Sequence, residues 1–539
     1  GLASAFGSGA MTNSIDEIYT TDCMFLIGTN TTENHPVVSI KMKQAVIQGN
    51  AKLIVADPRE IDMVRFADIW LRQKPGTDVA LINGLMNVII EEGLVAEKYV
   101  NERTENVEAL KESVKSYTPE YVEEITGVPR DDIRKAARLY AEARRGSIYY
   151  AMGITQHITG TDNVKSLANL AMLCGNVGIQ GGGVGPLRGQ NNVQGTCGLG
   201  ALPNVYPAYQ KVDNKDIRAK FEQAWGVSSL SSQPGLTVTE MITAAAKGDL
   251  KALYIMGENP MVSDPDLNRV KKALENLDFM VVQDIFMTET AKLADVVLPA
   301  VSFAEKNGTF TNTERRVQRI TKVIEPLEQS HPDWKIISDL ATEMGYEMAY
   351  ESAEDIFSEI RTVTPSYAGM SYERIAEEGG LQWPCPAQDH PGTQYLHKGK
   401  FVRGKGLFHA VEFIPPAKLP DEEFPLLLST GRALYHYLAG TTTRRDEGLN
   451  FRYPNAYVEM NPADTFELGI EEEEVVRVSS RRGDINVAVK ITKRSPKGVV
   501  FIPFHFIEAP ANRLTNPAFD PIAKIPEYKV CAVKVEKIN

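Results

Sequence analysis

Asp22–Asn30 reads DCMFLIGTN, a short apolar run stopped by Gly28 and followed two positions later by Asn30. Ala51–Asp57 reads AKLIVAD, a second apolar run that ends on an acid and continues into Pro58-Arg59. Between them Val38–Gln48 carries a helical pattern that Gly49-Asn50 closes. Strand, helix and strand within about 35 residues make a βαβ unit and predict a parallel sheet. A helical pattern follows over Asp78–Glu92, with Gly93 as its stop, and two more lie within Pro119–Arg144. Ser147–Ala151 (SIYYA) returns to strand.

The arrangement recurs. Leu253–Gly257 (LYIMG) ends in glycine and runs into Glu258-Asn259, and Phe279–Gln283 (FMVVQ) ends on Asp284. Asp68 follows Asp57 by 11 residues, and Asp295 follows Asp284 by 11. Gly28 to Asp57 spans 29 residues and Gly257 to Asp284 spans 27. We read a diverged internal duplication. Each copy places Gly-x-Asn and Asp at the carboxyl ends of parallel strands, where open α/β sheets bind ligands. Glycine there lets a phosphate approach backbone N–H groups, and the Asp can accept from ribose hydroxyls or a purine edge. Neither copy has Gly-x-Gly-x-x-Gly, so NAD in the usual mode is not supported. Two similar halves predict two similar dinucleotide-like ligands.

Between the copies lies Gly175–Gly200, GNVGIQGGGVGPLRGQNNVQGTCGLG, in which 10 of 26 residues are glycine. Glycine costs about 1 kcal/mol in a helix or strand interior. The run is therefore expected to be a long loop, free of helix and strand. Its centre holds one cation, Arg188, among the amides Gln190, Asn191, Asn192 and Gln194. A flexible linker would be richer in Ser and Pro, so a ligand-contacting loop is expected. It is not a P-loop, because Gly-Lys-Ser/Thr is missing.

After the second copy the chain reads as irregular from Ser302 to Val411, with helices near Trp334–Met344 and Ala353–Val363. Ser302–Arg319 reads either as a ligand-contacting loop or as a solvated crossing segment. Pro415-Pro416 to Pro420 marks a break. Beyond it lie short β runs at Leu426–Ser429, Tyr457–Met460, Val475–Ser479, Asn486–Ile491, Val499–Ile502 and Val530–Val535. Pro462–Leu468 is a short helix ended by Gly469, and Arg482-Gly483 a hairpin turn. Six short strands predict a small closed β-barrel. The expected domains are residues 1–190, α/β; 191–302, α/β; 303–411, irregular and helical, packing in part on the first; and 412–539, barrel.

The 539 residues carry a formal charge of −12, which argues against nucleic acid as the main partner. No apolar run reaches the ~18 residues of a membrane span, and no signal peptide opens the sequence. Five separated cysteines and eight histidines show no metal-ligand spacing, and reduced cysteines in a cytoplasmic protein are expected.

Pro186–Gly195, PLRGQNNVQG, resembles the signature loop of molybdenum- or tungsten-dependent formate dehydrogenase catalytic subunits, which are bis-molybdopterin guanine dinucleotide oxidoreductases. The resemblance extends over the whole chain. It implies a dimethyl sulfoxide reductase-like fold: two pseudo-symmetric α/β domains, one per pterin dinucleotide, and a C-terminal barrel covering both. By resemblance, Gly28, Asn30, Glu33, Asp57 and Arg59 hold one guanosine diphosphate arm, and Gly76 and Asp78 contact its guanine. Gly257, Glu258, Asn259, Gln283, Asp284 and Thr288 hold the other arm, with Asp333 at its guanine. Met152, Gly153, Gln156 and Gln190 resemble pterin contacts. Arg432, His436, Asn516, Tyr528 and Lys529 resemble barrel residues that close over the pterins. Arg188 is the expected catalytic residue, its guanidinium holding formate in a bidentate fork while a hydride equivalent leaves and carbon dioxide forms.

In that family a metal-bound cysteine or selenocysteine, followed by histidine, lies a few residues ahead of the segment matching Gly1-Leu2-Ala3. The resemblance thus implies that this ligand and an N-terminal [4Fe–4S] module lie outside these residues, that no metal ligand lies within them, and that the chain alone is inactive. A selenocysteine codon read as a stop is the expected cause of the starting point. The expected partner is an electron-transfer subunit of iron–sulfur, NAD, ferredoxin or hydrogenase type. The alternatives are another bis-molybdopterin oxidoreductase, such as a nitrate reductase-like enzyme, or a non-catalytic pterin-nucleotide-binding fragment.

Overall fold

The computed structural model describes residues 1–49 and 51–538, so Asn50, read above as part of a helix stop, lies outside the described residues. The chain divides into two compact units, one of residues 1–187, 262–268 and 395–539, the other of residues 188–261 and 269–394.

In the first unit five parallel strands form one sheet: β1 (Cys23–Ile27), β2 (Lys52–Ala56), β3 (Ile69–Leu71), β4 (Gly146–Tyr150) and β5 (Gly183–Pro186), in the order β3-β2-β1-β4-β5. Both faces are covered, as their unbroken apolar runs require. On one face α1 (Pro36–Ile47) sets Val38, Met42 and Ala45 against Met24, Leu26, Leu53 and Val55. On the other, α2 (Asp78–Glu91), α3 (Arg130–Ala141) and α4 (Gly160–Leu173) pack against Phe25, Ile27, Ile54, Ile69 and Leu71. α2 is buried from Asp78 to Ile89, the mark of a helix apolar all round. A Cβ on its Gly84 would meet Val122 Cγ2 at 2.8 Å, so glycine lets the Pro119–Thr126 helix sit close.

The glycine-rich run departs from expectation. β5 lies inside it, and so does α5 (Val193–Gly198). The strand tolerates its glycines because its neighbour occupies their space: Gly185 pairs with Tyr149, and a Cβ there would lie 2.7 Å from the Tyr149 ring.

In the second unit the repeated strands are β6 (Ala252–Met256), β7 (Phe279–Asp284) and β8 (Val296–Pro299), parallel in the order β8-β7-β6. α6 (Val238–Lys247) and α7 (Leu267–Glu275) cover one face through Ile242, Ala245, Val270 and Leu274 against Ile255, Met280 and Val282. The region expected to be irregular also holds an antiparallel sheet of β9 (Gly308–Thr311), β10 (Arg316–Ile320) and β11 (Leu381–Gln382). Much of Ser302–Arg319 is therefore a hairpin. Arg315 at its turn is fully buried and donates to the carbonyls of Trp383, Thr393 and Gln394. α8 (Asp333–Glu343) and α9 (Ala353–Val363) match the two helices expected there.

The chain then returns to the first unit and closes a six-stranded barrel. Its strands are β12 (Leu426–Gly431), β13 (Tyr457–Met460), β14 (Val475–Ser480), β15 (Gly483–Ile491), β16 (Val499–Pro503) and β17 (Cys531–Lys537). The order is β12-β16-β13-β15-β14-β17, around Val458, Val476, Val478, Val500 and Val533. Among the described residues no helix is long and apolar enough to cross a membrane.

Candidate functional site

Strand order in the first sheet reverses between β1 and β4, the place where such sheets open a crevice at their carboxyl ends. Gly28 follows β1 at φ 56°, and Gly153 follows β4. The Gly153 N–H donates to the Gly28 carbonyl at 3.0 Å, and a Cβ on Gly28 would lie 2.7 Å from Gly153 C. Glycine is required there by both angle and space. Met152 and Gln156 flank this contact within one short helical turn, and His157 Nε2 donates to the Gly153 carbonyl at 2.8 Å.

Polar atoms are buried around the same strand ends. Thr29 Oγ1, Asn30 Oδ1 and Gln73 Oε1 have no hydrogen-bond partner among the described residues. Each such atom costs about 1–3 kcal/mol if nothing meets it. Gln73 Nε2 donates to Asp78 Oδ1 at 3.2 Å, and Asp78 Oδ2 lies 3.8 Å from His157 Nε2. Burial pushes the Asp78 carboxyl up to about 6, against the Gln73 bond. Asp57 keeps some surface, yet protein surrounds its carboxylate, and burial pushes it up to about 6 although the Arg59 N–H donates to it at 2.9 Å. Gly76, between these acids, has φ 82°, and a Cβ would fall on Pro416.

Arg59 spends its guanidinium inside the protein. Its Nε and Nη2 fork onto Glu459 at 2.7 and 2.8 Å, its plane lies 3.8 Å over the Phe501 ring, and Glu33 stands 3.9 Å away. Arg494 joins Glu33 at 2.9 Å. Burial works against charge on Glu459, but Arg59 and Arg494 hold its carboxyl below the usual range. This four-member network ties the β1 and β2 loops to barrel strand β13.

Among the barrel residues, Lys529 Nζ donates to the Thr430 carbonyl at 2.6 Å, and burial pushes the amine down to about 8 despite Asp57. Tyr528 Oη donates to the Ser263 carbonyl at 3.0 Å. Asn516 Oδ1 accepts from the Ala518 N–H at 2.9 Å. Arg432 stacks on Tyr437 at 4.8 Å, its Nε buried without a partner among the described residues. His436 is buried among His505, Tyr453 and Phe506 and donates from Nε2 to the Tyr453 carbonyl at 2.7 Å.

The second unit repeats the first site with other partners. Gly257 has φ 62°, with nothing within 4 Å of a Cβ, and Glu258 beside it is exposed. Asn259 is buried, donating to Glu289 at 2.8 Å and accepting from Thr290 Oγ1 at 2.7 Å. Gln283 donates to Asp333 at 2.7 Å and accepts from Tyr254 Oη, while Lys306 pairs with Asp333. Asp284 accepts from the Phe286 N–H at 3.0 Å, and Thr288 Oγ1 from the Ala291 N–H at 3.1 Å.

Arg188 and Gln190 belong to this unit. The Arg188 N–H donates to Thr313 Oγ1 at 3.1 Å, and its Nη2 to Gln194 Oε1 at 3.3 Å, while Gln190 is exposed. The expected residues thus fall into two sets, one in each unit. Among the described residues no three His, Cys, Asp or Glu side chains converge to hold a metal ion. Sequence reading did not single out Thr29, Gln73, His157, Glu459 or Tyr209. Thr29, inside Gly28-x-Asn30, and Gln73, three positions ahead of the Gly76 turn, were the most accessible of these; the others carry no local pattern.

Glycine and acid stand at parallel strand ends in both repeats, with unpartnered buried polar atoms beside the first, on a chain that closes with a barrel; this is the arrangement of a protein that binds a polar ligand at its strand ends. Residues 3–343 match the Molybdopterin oxidoreductase family model, and residues 426–532 match the Molydopterin dinucleotide binding domain. The chain belongs to the molybdopterin oxidoreductase family. It is 52% identical to the F420-dependent formate dehydrogenase subunit alpha of Methanocaldococcus jannaschii, over 100% of this chain and 80% of that protein. It is 43% identical to formate dehydrogenase H of Escherichia coli, over 100% and 76%. It is 39% identical to the assimilatory nitrate reductase catalytic subunit of Bacillus subtilis, over 97% and 76%. Acetylene hydratase from Pelobacter acetylenicus shares the fold, with a TM-score of 0.79 at 22% identity over 99% and 80%.

Proposed function

We propose that this chain is the catalytic part of a formate dehydrogenase, and that Arg188 holds the substrate carboxylate. The observation that carries this reading is Arg188 itself: its main-chain N–H is held by Thr313, and its guanidinium meets a buried amide, Gln194. A fork fixed in this way suits a small planar carboxylate, which it can bind through two parallel hydrogen bonds. Oxidation of formate releases carbon dioxide, a proton and two electrons. The carboxylate must be fixed so that its C–H is presented in one direction, and orientation of this kind lowers barriers substantially.

The prosthetic group implied is bis-molybdopterin guanine dinucleotide carrying molybdenum or tungsten, which supplies the two-electron acceptor when bound. The chain's own atoms fit its polar arms. Thr29, Asn30 and Gln73 present buried acceptors and a hydroxyl, and Arg432 presents a buried donor. In our reading Asp57 and Asp78 serve one nucleotide and Asp284 and Asp333 the other.

We also propose, from the family resemblance, that a cysteine or selenocysteine ligand and an iron–sulfur cluster complete the centre from polypeptide outside these residues. Electrons then leave to a partner subunit, with F420 a candidate acceptor because a 52%-identical relative bears that name. A cytoplasmic setting belongs to the same proposal.

The test is Arg188→Ala in the complete enzyme. Formate kcat/KM is expected to fall roughly 10²–10³-fold while GMP released by acid and bound metal stay unchanged. Undiminished formate turnover would refute the assignment. Nitrate is the control substrate because one relative is a nitrate reductase; nitrate turnover without formate turnover selects that alternative. The 539-residue chain alone is expected to show no formate-dependent dye reduction, and robust activity would contradict the outside ligand.

A further inference from the structure

The loop Arg188–Gly195 contains a second buried side chain whose bonds lead straight to Arg188. Gln194 has no exposed surface. Its Oε1 accepts from Arg188 Nη2 at 3.3 Å, and its Nε2 donates to Tyr209 Oη at 2.9 Å. The amide can point in only one sense. A guanidinium has donors alone, so the amide oxygen must face it, and the NH₂ must then face the tyrosine. The Tyr209 hydroxyl, accepting from Gln194, keeps its own hydrogen to donate elsewhere.

The backbone holds Tyr209 at a cost. Ala208 and Tyr209 follow one another at φ 62° and 57°, in the left-handed region that non-glycine residues enter at about 1–2 kcal/mol each. Two such residues in succession persist only where surrounding contacts over-determine them, and they gather at functional sites. The tyrosine ring stands 6.5 Å from the Trp383 ring, whose indole nitrogen is buried without a partner among the described residues. Burial raises the Tyr209 hydroxyl above its ordinary range while Arg188 opposes the shift, so the phenol stays protonated at neutral pH.

We propose that Gln194 and Tyr209 are positioning residues that fix the plane of the Arg188 guanidinium for a carboxylate substrate. This rests on the reading of Arg188 as the formate clamp. An arginine head left to itself samples many rotamers, and a bidentate fork is useful only when its plane is fixed. Gln194 supplies that constraint on one edge without adding a negative charge, which would compete with the substrate. Tyr209 keeps the amide from turning over.

Three variants of the complete enzyme test the relay. Tyr209→Phe, nearly isosteric, is expected to raise KM for formate about 5- to 10-fold, with kcat within about threefold. Gln194→Ala should raise it further. Gln194→Glu should raise it most, because a carboxylate then occupies the fork. A second readout does not need turnover: the rate at which phenylglyoxal modifies Arg188, followed by peptide mass spectrometry with and without formate. Wild type should be protected by formate, and Gln194→Ala should react faster and lose protection at the same formate concentration.

If Arg188→Ala abolishes formate turnover but all three variants keep wild-type KM and protection, the relay is refuted and the clamp stands. Lower thermal stability with unchanged KM and protection also refutes it, since that is a purely structural role. If Arg188→Ala leaves turnover intact, the clamp itself fails.

Discussion

In the first repeat the Gly28 N–H donates to the Ala56 carbonyl at 3.1 Å; in the second the Gly257 N–H donates to the Gln283 carbonyl at 2.9 Å. Asp57 and Asp284 each accept from the N–H two residues on. Asp78 and Asp333 each open a helix and accept from a glutamine, Gln73 and Gln283. The bonds are repeated, but the surroundings are not. The face that holds Phe25, Ile27 and Ile69 lies under α2, α3 and α4 in the first repeat. Its counterparts Tyr254, Met256 and Val296 are 39%, 50% and 38% exposed. A duplicated βαβ unit thus preserves its backbone framework while the burial of each copy diverges, so the same residue carries a different load in each half.

The glycines break this symmetry most sharply. Gly28→Ala places a methyl 2.7–2.8 Å from backbone atoms of Gly153 and Ile154 and demands φ 56°. Loss of roughly 3–5 kcal/mol is expected, read as a fall in the unfolding midpoint. Gly257→Ala meets no atom and carries only the backbone penalty, about 1 kcal/mol. Equal costs would show that the two crevices are equally packed. The sheet faces give the next contrast. Phe25→Ala, at 1% exposed, should cost about 3–4 kcal/mol, and Tyr254→Ala about 1 or less.

The backbone side of this comparison was legible in the sequence, and the burial side was not. Glycine, the following Asn and the terminal Asp fix strand ends because each has a local reason to be there, and those strands are found within a residue or two. The barrel was legible for the same reason, from six short apolar runs and a Gly469 helix stop at φ 66°. The β9–β10–β11 sheet was not, because Leu381–Gln382 joins it across a long separation and Arg315 supports it from an interior that composition does not reveal. β5 was missed because its glycines answer to Tyr149, on another strand. In the site, Arg188 stands out as the one cation among amides, whereas Gln194 and Tyr209 acquire meaning only from each other.

Asp78 tests whether the buried half carries an electrostatic load. Its folded value is raised to about 6 by burial, above the ordinary carboxyl value. A raised acid contributes stability below its unfolded value and loses that contribution as pH rises through the folded one. Wild type should therefore weaken relative to Asp78→Asn between about pH 4 and pH 7, by up to about 2–3 kcal/mol, for the chain without its dinucleotide. A stability difference that is flat over this range would mean the carboxylate is solvated.

The smallest effect is the one that should be equal in both halves. Asp68 accepts from the Leu53 N–H at 2.9 Å and Asp295 from the Met280 N–H at 2.7 Å, and each returns its own N–H to the same residue's carbonyl. Both acids sit at the rim of their sheets, so neither draws on a buried core. Replacing either by Ala removes its charge-assisted bond to the second position of the middle strand and should cost about 1 kcal/mol, the exposed Lys52–Asp68 pair at 2.9 Å that Asp68→Ala also removes adding little. Hydrogen exchange at Leu53 and Met280 should quicken by a similar factor in the respective variants. A marked inequality would mean that the framework itself, and not only its burial, has diverged.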